Sequence, residues 1–588
     1  MRLASTLLAS ACAIAALGMA TPHTTFGAGL KVWHDVWDPD TVFADFAGTP
    51  ATLGSRVALV LDKSLWNGRT RAQELAQQPE LVTNGDFSDG LAGWTAAPAS
   101  GSVGNGIISQ SSGGGIRVTN DASGFNFGLA SQAINCVPGC LYKVTLSRGA
   151  TSSGSLAFWY VGDAPNGNQA TAVAANITTN TRYFLATKAT HYLNLGAYVN
   201  VANGWAEWDN ISVKALPGPH MAQASTAQQP FYGRVPRGGR RNLLTYTDPD
   251  AVVPTGWTDF SAAPPGKSFA ALSNGISGLR FQSSGNRPRI SQSSVTVTAG
   301  QTFTATVYVE PGYTAPPPSI SGNDVLRLFV SGGADIRASL GQEDENGRLT
   351  LVYTATVGGV LVFQYGPGID GPVTGHDVVM GGAQLETGST ATAYQKVLQP
   401  YDVTEAGVPS VPCLYSDGVD DGMVTPPLDL TGTDKLAVFT AVEKMSDVAA
   451  GILIELSSNM ASNNGSIFVA APAASNASYA SASKGNAQST ASYINAVVAA
   501  PNTAVLTGLG NISGDRATLR INGAQVAQST VDQGTGNYGN HPLYYFRRGG
   551  TSLPFNGYWF GDMIVAGIPS PAQIAWAEDH YNRIAGAY

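Results

Sequence analysis

Tyr192, Asn194 and Tyr198 recur at even spacing along one short segment, YLNLGAYV. Together they suit one kind of chemistry. A tyrosine ring offers a flat apolar face on which the C–H side of a sugar ring stacks, and a fixed amide beside it hydrogen-bonds hydroxyls. Leu193, Leu195, Ala197 and Val199 alternate with these residues, so the segment reads as a strand with one face in a core and the other displaying the tyrosines. Gly196 leaves room between the side chains. The run Leu156–Val161 (LAFWYV) adds Trp159 or Tyr160 as a further contact, but both of its faces are apolar and parity does not choose between them. Of the other tryptophans, Trp94 reads as a packed core edge, and Trp205 and Trp208 fit rim or core equally.

Bond-breaking chemistry finds less support. Glycoside hydrolysis needs two carboxyl groups facing one sugar bond. Glu443 and Glu455 are isolated, Asp417, Asp420 and Asp421 open a turn, and Glu343-Asp344-Glu345 runs into Asn-Gly as a surface loop. The sequence has no Gly-x-Ser-x-Gly elbow, no phosphate-binding Gly-x-x-x-x-Gly-Lys and no paired histidines at metal spacing. A non-enzymatic chain is expected. Cys136 and Cys140 flank a Val-Pro-Gly turn, which suits a local disulfide or two free thiols, with metal a lesser option.

The elements that must hold the tyrosine strand are β. Charged residues make up only 12% of the 588 positions and glycine contributes 69, a balance that favours short strands and turns over solvated helices. This length calls for several domains. A net charge of −8 gives no reason to expect nucleic acid as a partner, and the Arg234–Arg241 cluster reads as a solvated linker. The expected fold is all-β: tandem jelly-roll or β-sandwich domains with a short N-terminal lead-in and a C-terminal helix.

The boundaries follow composition. Residues 1–22 hold an apolar run, Leu3–Ala20, which reads as a signal peptide ending near Ala20 or as an anchor helix for a larger assembly. Residues 23–80 are a mixed lead-in. Residues 81–216 form a first sandwich, with Leu81–Trp94 and Ala206–Lys214 as its first and last strands. A linker over 217–240 leads to a second sandwich at 241–398, and a linker over 399–410 leads to a third at 411–588. In the third, Asn522-Gly523 marks a two-residue hairpin, and Ile574, Ala577, Tyr581 and Ile584 mark a helix from about Ala572 to Ala585.

Three resemblances attach to these segments. NGDFSDGLAGW, YLNLGAYV and WDNISV make 81–216 similar to the CenC-type carbohydrate-binding modules, jelly rolls whose concave sheet carries aromatic residues. That resemblance implies a carbohydrate face at Tyr192, Asn194, Tyr198, Trp159 and Tyr160. It also implies a structural calcium near the first and last strands, held by Asp86 and Asp209, although Ser88 stands where the family has an acidic residue. The lead-in (Pro39–Asp45, Ala47-Gly48-Thr49, Val60–Ser64) resembles those of bacteriophage and prophage virion proteins. Asn242–Tyr246, Gly382–Glu386 and Tyr394 bracket a module similar to one recurring in phage tail proteins. Residues 411–588, with DGVDD, ING and a late FNG strand before a helix, resemble LamG or concanavalin A-like sandwiches.

Taken together, these imply a phage or prophage tail protein that contacts host-surface glycan, with other virion proteins as partners and a homo-oligomeric assembly, located in the virion or outside the cell. A secreted bacterial carbohydrate-binding protein is the alternative, and a glycoside hydrolase a third reading.

Overall fold

The computed structural model describes residues 20–98, 107–120, 128–165, 169–171, 181–198, 202–260, 266–315, 323–473, 477–487 and 491–588. The N-terminal apolar run, up to residue 19, lies outside them. Among the described residues no helix is long and apolar enough to cross a membrane.

The chain is all-β, and its described residues form six sheets and a C-terminal helix. Two sheets make a large framework sandwich. The ten-stranded sheet runs, in spatial order, through Gln395–Gln399, Asp402–Glu405, Phe231–Pro236, Ser410–Asp417, Asn556–Ala566, Lys435–Lys444, Asn502–Asn511, Arg516–Ile521 and Ala524–Ser529, and Leu30–His34 also pairs with Asn556–Ala566. The nine-stranded sheet begins with three strands of only two residues, Val42–Phe43, Leu59–Val60 and Met221–Ala222. It continues through Met423–Asp429, Asn540–Tyr545, Ile452–Leu456, Ser466–Ala470, Ser478–Lys484 and Ser492–Val497. The core between the sheets mixes Val32, Val42, Val57, Val60 and Met221 with Leu436, Leu453, Leu506, Trp559 and Ile564.

The framework therefore draws on more chain than 411–588. Segments 217–240 and 399–410, read from sequence as linkers, contribute ladder strands here, and the lead-in contributes to both sheets. The arginine cluster is accordingly engaged. Arg234 pairs with Asp402 at 2.6 Å, and Arg241 is buried, with Nε 2.6 Å from Glu443 and its remaining nitrogens donating to the carbonyls of Pro236 and Gly238. A guanidinium with this many acceptors is stable inside, whereas composition alone made it look solvated.

A buried polar cluster pins the lead-in to the framework. His34 Nδ1 is 2.9 Å from Asp562 Oδ1, and its Nε2 is 3.1 Å from the Pro219 carbonyl. Only an imidazolium donates to both, and Asp562 raises the His34 pKa against its burial. His220 is held the opposite way. Its Nδ1 accepts the Asp62 N–H at 2.8 Å and its Nε2 donates to Leu216 O, so burial keeps it neutral and its pKa falls to about 3. Asp62 accepts from Trp33 N, Ser64 N and Ser64 Oγ, yet its burial raises the pKa to about 6.

The two smaller sandwiches are insertions whose ends meet. Residues 81–216 leave beside their return: Glu80 accepts from Ser212 Oγ (2.6 Å) and Val213 N (2.7 Å). For the second, Asn242 N donates to Gln395 Oε1 (2.9 Å), and Gln395 Nε2 donates to Arg240 O (2.6 Å). Asn242 also accepts from Leu385 N, and Gln384 donates to Glu386, so the bracket residues form one buried hydrogen-bonded knot where the insertion starts.

The second sandwich places strands at Ile290–Val297, Thr302–Val309, Asp324–Val330, Arg348–Thr354 and Gly359–Tyr365, close to the alternating runs in its sequence. In the framework, Arg516–Ile521 pairs with Ala524–Ser529 across Asn522 and Gly523, whose φ of 51° and 77° suit a primed turn. The helix Pro571–Ala585 starts with Ser570 and Gln573 capping one another and stops at Gly586 in the left-handed region. Its Ile574, Ala577 and Tyr581 are buried against the ten-stranded sheet, and Ile584 packs there partly exposed.

Candidate functional site

The first sandwich sets two five-stranded sheets face to face. One runs Gln169–Thr171, Leu156–Gly162, Thr190–Tyr198, Gly128–Asn135 and Thr95–Pro98; the other runs Thr181–Leu185, Leu141–Thr151, Trp205–Leu216, Ile116–Thr119 and Ile107–Gln110. Leu193, Leu195 and Ala197 point into the core between them, together with Trp94 and Trp208, and Val199 lies outside the described residues. Trp205 instead lies under the Arg117 guanidinium, 3.9 Å from its ring centre.

The segment Leu81–Trp94, expected as the first strand, forms no strand. Asn84 and Phe87 take φ near +50°, and the Asn84 side chain donates to the carbonyls of Asp89, Gly90 and Ala92, which closes NGDFSDG into a loop. Local side-chain bonding of this kind competes with ladder pairing. Phe87 and Trp94 still fill the core from the loop.

The outward side of the sheet holds the candidate site. Register places Asn194 opposite Ser131 on one neighbouring strand and opposite Tyr160 on the other. The next pairs are Gly196 with Leu129 and Phe158, then Tyr192 with Ala133 and Gly162. Asn194 and Ser131 are buried (0% and 1% exposed), yet among the described residues Asn194 Oδ1 and Ser131 Oγ have no hydrogen-bond partner. Asn194 Nδ2 is bound to Tyr192 O at 3.1 Å, so the amide is oriented with its acceptor free.

Beside this polar pair, Phe158 and Tyr160 stack at 6.2 Å with ring planes 8° apart. Gly196 permits that arrangement: a Cβ there would lie 2.4 Å from the Phe158 ring. Burial raises the Tyr160 hydroxyl to about 12, so it remains a protonated donor. Among the described residues this leaves Asn194 Oδ1 and Ser131 Oγ without a hydrogen-bond partner beside two parallel rings, of which Tyr160 is buried with Ala97 and Leu129.

Asn194, Tyr160 and the half-buried Tyr192 thus share one face, as their parity implies. Trp159 does not join them. It is one position out of phase with Tyr160 and is buried in the sandwich core, which settles the ambiguity of LAFWYV. Tyr198 ends the strand, and its side chain lies outside the described residues. Sequence reading missed Ser131 and Phe158; the signal available was their register opposite Asn194 and Gly196, which needs the pairing to be known.

Asp86 and Asp209, the expected calcium ligands, each serve a local turn. Asp86 Oδ1 accepts from Ser88 N and Oγ, and Asp209 Oδ1 accepts from Asn210 N. Two carboxylates supply fewer oxygens than the six to eight calcium takes, and neither belongs to a converging acidic trio among the described residues. The trio that does converge is Asp417, Asp420 and Asp421, with ligand atoms within 4.8 Å of one another. There Asp421 is buried against Arg56 at 2.8 Å with its carboxyl pushed up to about 7, and Asp417 caps its own turn through Val419 N.

The remaining sequence candidates are in use elsewhere. Glu443 is buried against Arg241, and Glu455 against Arg548 at 2.8 Å. Cys136 and Cys140 are free thiols, and burial raises Cys136 to about 11.

The chain matches no family profile and no curated protein. Solved structures overlap parts of it. Ruminococcus gnavus IT-sialidase CBM40 bound to α2,3-sialyllactose is 12% identical, with 25% of this chain and 83% of that chain covered and a TM-score of 0.21. The botulinum neurotoxin serotype D binding domain is 10% identical, with 29% and 42% covered and a TM-score of 0.23. NanB with Optactamide is 12% identical, with 24% of each chain covered and a TM-score of 0.21. Overlaps this partial leave the site to be judged on its own residues.

Proposed function

We propose that this chain is a non-enzymatic glycan-binding protein and that the outward face of the first sandwich is its binding surface. The observation that carries the reading is an adjacent pair of buried polar atoms with no hydrogen-bond partner among the described residues, Asn194 Oδ1 and Ser131 Oγ, beside the stacked Phe158 and Tyr160. Leaving such atoms dry and unpaired is costly, and a ligand hydroxyl removes the cost. The half-buried Tyr192 on the same face supplies the apolar part of the affinity.

The setting we favour is a phage or prophage tail, in which the chain contacts host-surface glycan beside other virion proteins as a homo-oligomer. The lead-in and the Asn242 to Tyr394 bracket support it by their sequence resemblance. Recovery of the chain with intact tail particles checks this setting, and its absence from them leaves a secreted binding protein. A structural calcium at Asp86 and Asp209 belongs to the same resemblance; a melting temperature lowered by EDTA supports it, and an unshifted one removes it.

The binding reading is tested on glycan arrays and on host envelopes with the full chain. Retention that falls in a folded Asn194→Ala variant supports it, and equal retention of both proteins rejects this face.

A further inference from the structure

Followed strand by strand, the two framework sheets end in four edge strands, and three of these are blunted against pairing with another chain. Gln395–Gln399 carries Lys396 and a register shift, Ala524–Ser529 meets its neighbour through a register shift, and Val42–Phe43 is two residues long. Charge, bulges and shortness are the devices that keep a sheet edge from adding a foreign strand. The fourth edge, Ser492–Val497 (SYINAV), has none of them. It is six residues long, pairs with Ser478–Lys484 without a shift and contains no proline. No charged residue stands anywhere between Lys484 and Asp515.

The backbone of this edge points in a defined way. Val498 N donates to Ala477 O at 2.6 Å, which makes that pair and every second pair after it the hydrogen-bonded ones. Ile494 and Ala496 therefore turn their backbone groups to the neighbouring strand. The N–H and C=O groups of Tyr493, Asn495 and Val497 point out of the sheet edge, and among the described residues they meet no partner. The same three residues show their side chains on the outward face. Tyr493 is 44% exposed, Val497 77%, and Asn495 is exposed, whereas Ser492 and Ile494 are buried.

A second copy of the same strand meets all of these demands. Antiparallel pairing exchanges both bonds between residues directly opposite, and such residues show their side chains on the same face. Setting Asn495 against Asn495 satisfies both conditions and puts Tyr493 against Val497 on either side. Every outward N–H then finds a carbonyl, and the exposed tyrosine and valine cover one another. The contact brings no like charges together, although each chain carries −8. A one-residue slip would set buried-side residues against outward ones and leave the backbone groups unmatched.

We propose that two copies of this chain join edge to edge through Ser492–Val497, antiparallel, with Asn495 of each on a two-fold axis, so that the nine-stranded sheet continues across both. This deepens the homo-oligomer of the reading above and leaves the glycan face of the first sandwich untouched.

Sedimentation equilibrium of the full chain tests this, with an expected wild-type mass twice that of one chain. Asn495→Lys sets two like charges opposite each other at the axis and should return the mass to that of one chain, with an unchanged circular dichroism spectrum. Asn495→Cys is an independent check. Facing Cα atoms of a hydrogen-bonded antiparallel pair lie about 5.5 Å apart, within disulfide reach, so mild oxidation should join two chains covalently. Tyr493→Cys should not cross-link, because its two copies lie four residues apart along the strands, about 13 Å. The wild type, with its own cysteines, should not either. Asn194→Ala should remain a dimer, so a failed glycan face and a failed interface read separately. Should Asn495→Lys misfold, the cysteine variants decide. A single-chain mass for the wild type, an odd-numbered assembly, equal masses for the wild type and folded Asn495→Lys, or no cross-link specific to position 495 overturns the proposal.

Discussion

Asn194 and Ser131 make opposite demands on stability and binding. Each holds a polar atom with no partner among the described residues, so Ser131→Ala should leave the melting temperature unchanged or slightly raised. Bound saccharide should show the reverse: each truncation to alanine should cost about tenfold in affinity, or roughly 1.4 kcal/mol. Titration calorimetry beside thermal melts separates the two effects. Trp159→Ala is expected to destabilise the first sandwich by about 3–5 kcal/mol, because that ring fills the core. The buried histidines predict a pH dependence. The His220 pKa falls from 6.5 to about 3 on folding, so its contribution is complete above pH 6.5 and is lost as pH falls through that window. Asp62, raised to about 6, works the other way over the upper part of the same range, since acid relieves its buried charge. Replacing His220 with Gln removes only the first effect, so the urea midpoint of the variant should gain on that of the wild type as pH drops from 7 to 4. The alternation of YLNLGAYV showed Asn194 and Tyr192 in the sequence. Ser131 was invisible there, because a lone serine in GLASQAIN gains meaning only once Asn194 is known to lie opposite.

Strand Thr190–Tyr198 illustrates how an element tunes its face. Gly196→Ala places a methyl group 2.4 Å from the Phe158 ring, so the ring must move and its stack with Tyr160 must open. Saccharide affinity should fall while the core-side residues Leu195 and Ala197 stay packed; a melt shifted only slightly beside weakened binding is the expected pair of results. At the hairpin, Gly523 sits at φ +77°, and Gly523→Val should destabilise the framework by about 1–2 kcal/mol, read from the denaturant midpoint. Alternating segments and the Asn-Gly turn were legible because their period and turn chemistry are local. The segment Leu81–Trp94 misled for an equally local reason: its apolar residues alternate loosely, but Asn84 bonds back onto the Asp89–Ala92 backbone and holds it as a loop.

At the scale of the whole molecule, the framework is assembled from three separated stretches of chain. Residues 411–588 alone lack Leu30–His34, Phe231–Pro236 and the lead-in strands, and they would expose the partners of Val32, Val60 and Met221. That fragment is expected to aggregate, whereas 81–216 alone, which keeps both of its sheets, should melt cooperatively. A chain from residue 20 onward with each insertion replaced by a short Gly-Ser link should also fold, and size-exclusion chromatography with circular dichroism distinguishes these outcomes. None of this was readable from sequence. Strands of two residues, such as Leu59–Val60 and Met221–Ala222, carry no period, and their role depends on partners hundreds of positions away.

The adjacent ends of each insertion have an evolutionary consequence. A recombination event that trades one inserted body for another must match only two neighbouring junctions, at Glu80 with Val213 and at Asn242 with Gln395. The supporting scaffold is left uncut by such an exchange, so the inserted bodies are free to diversify faster than the framework that carries them.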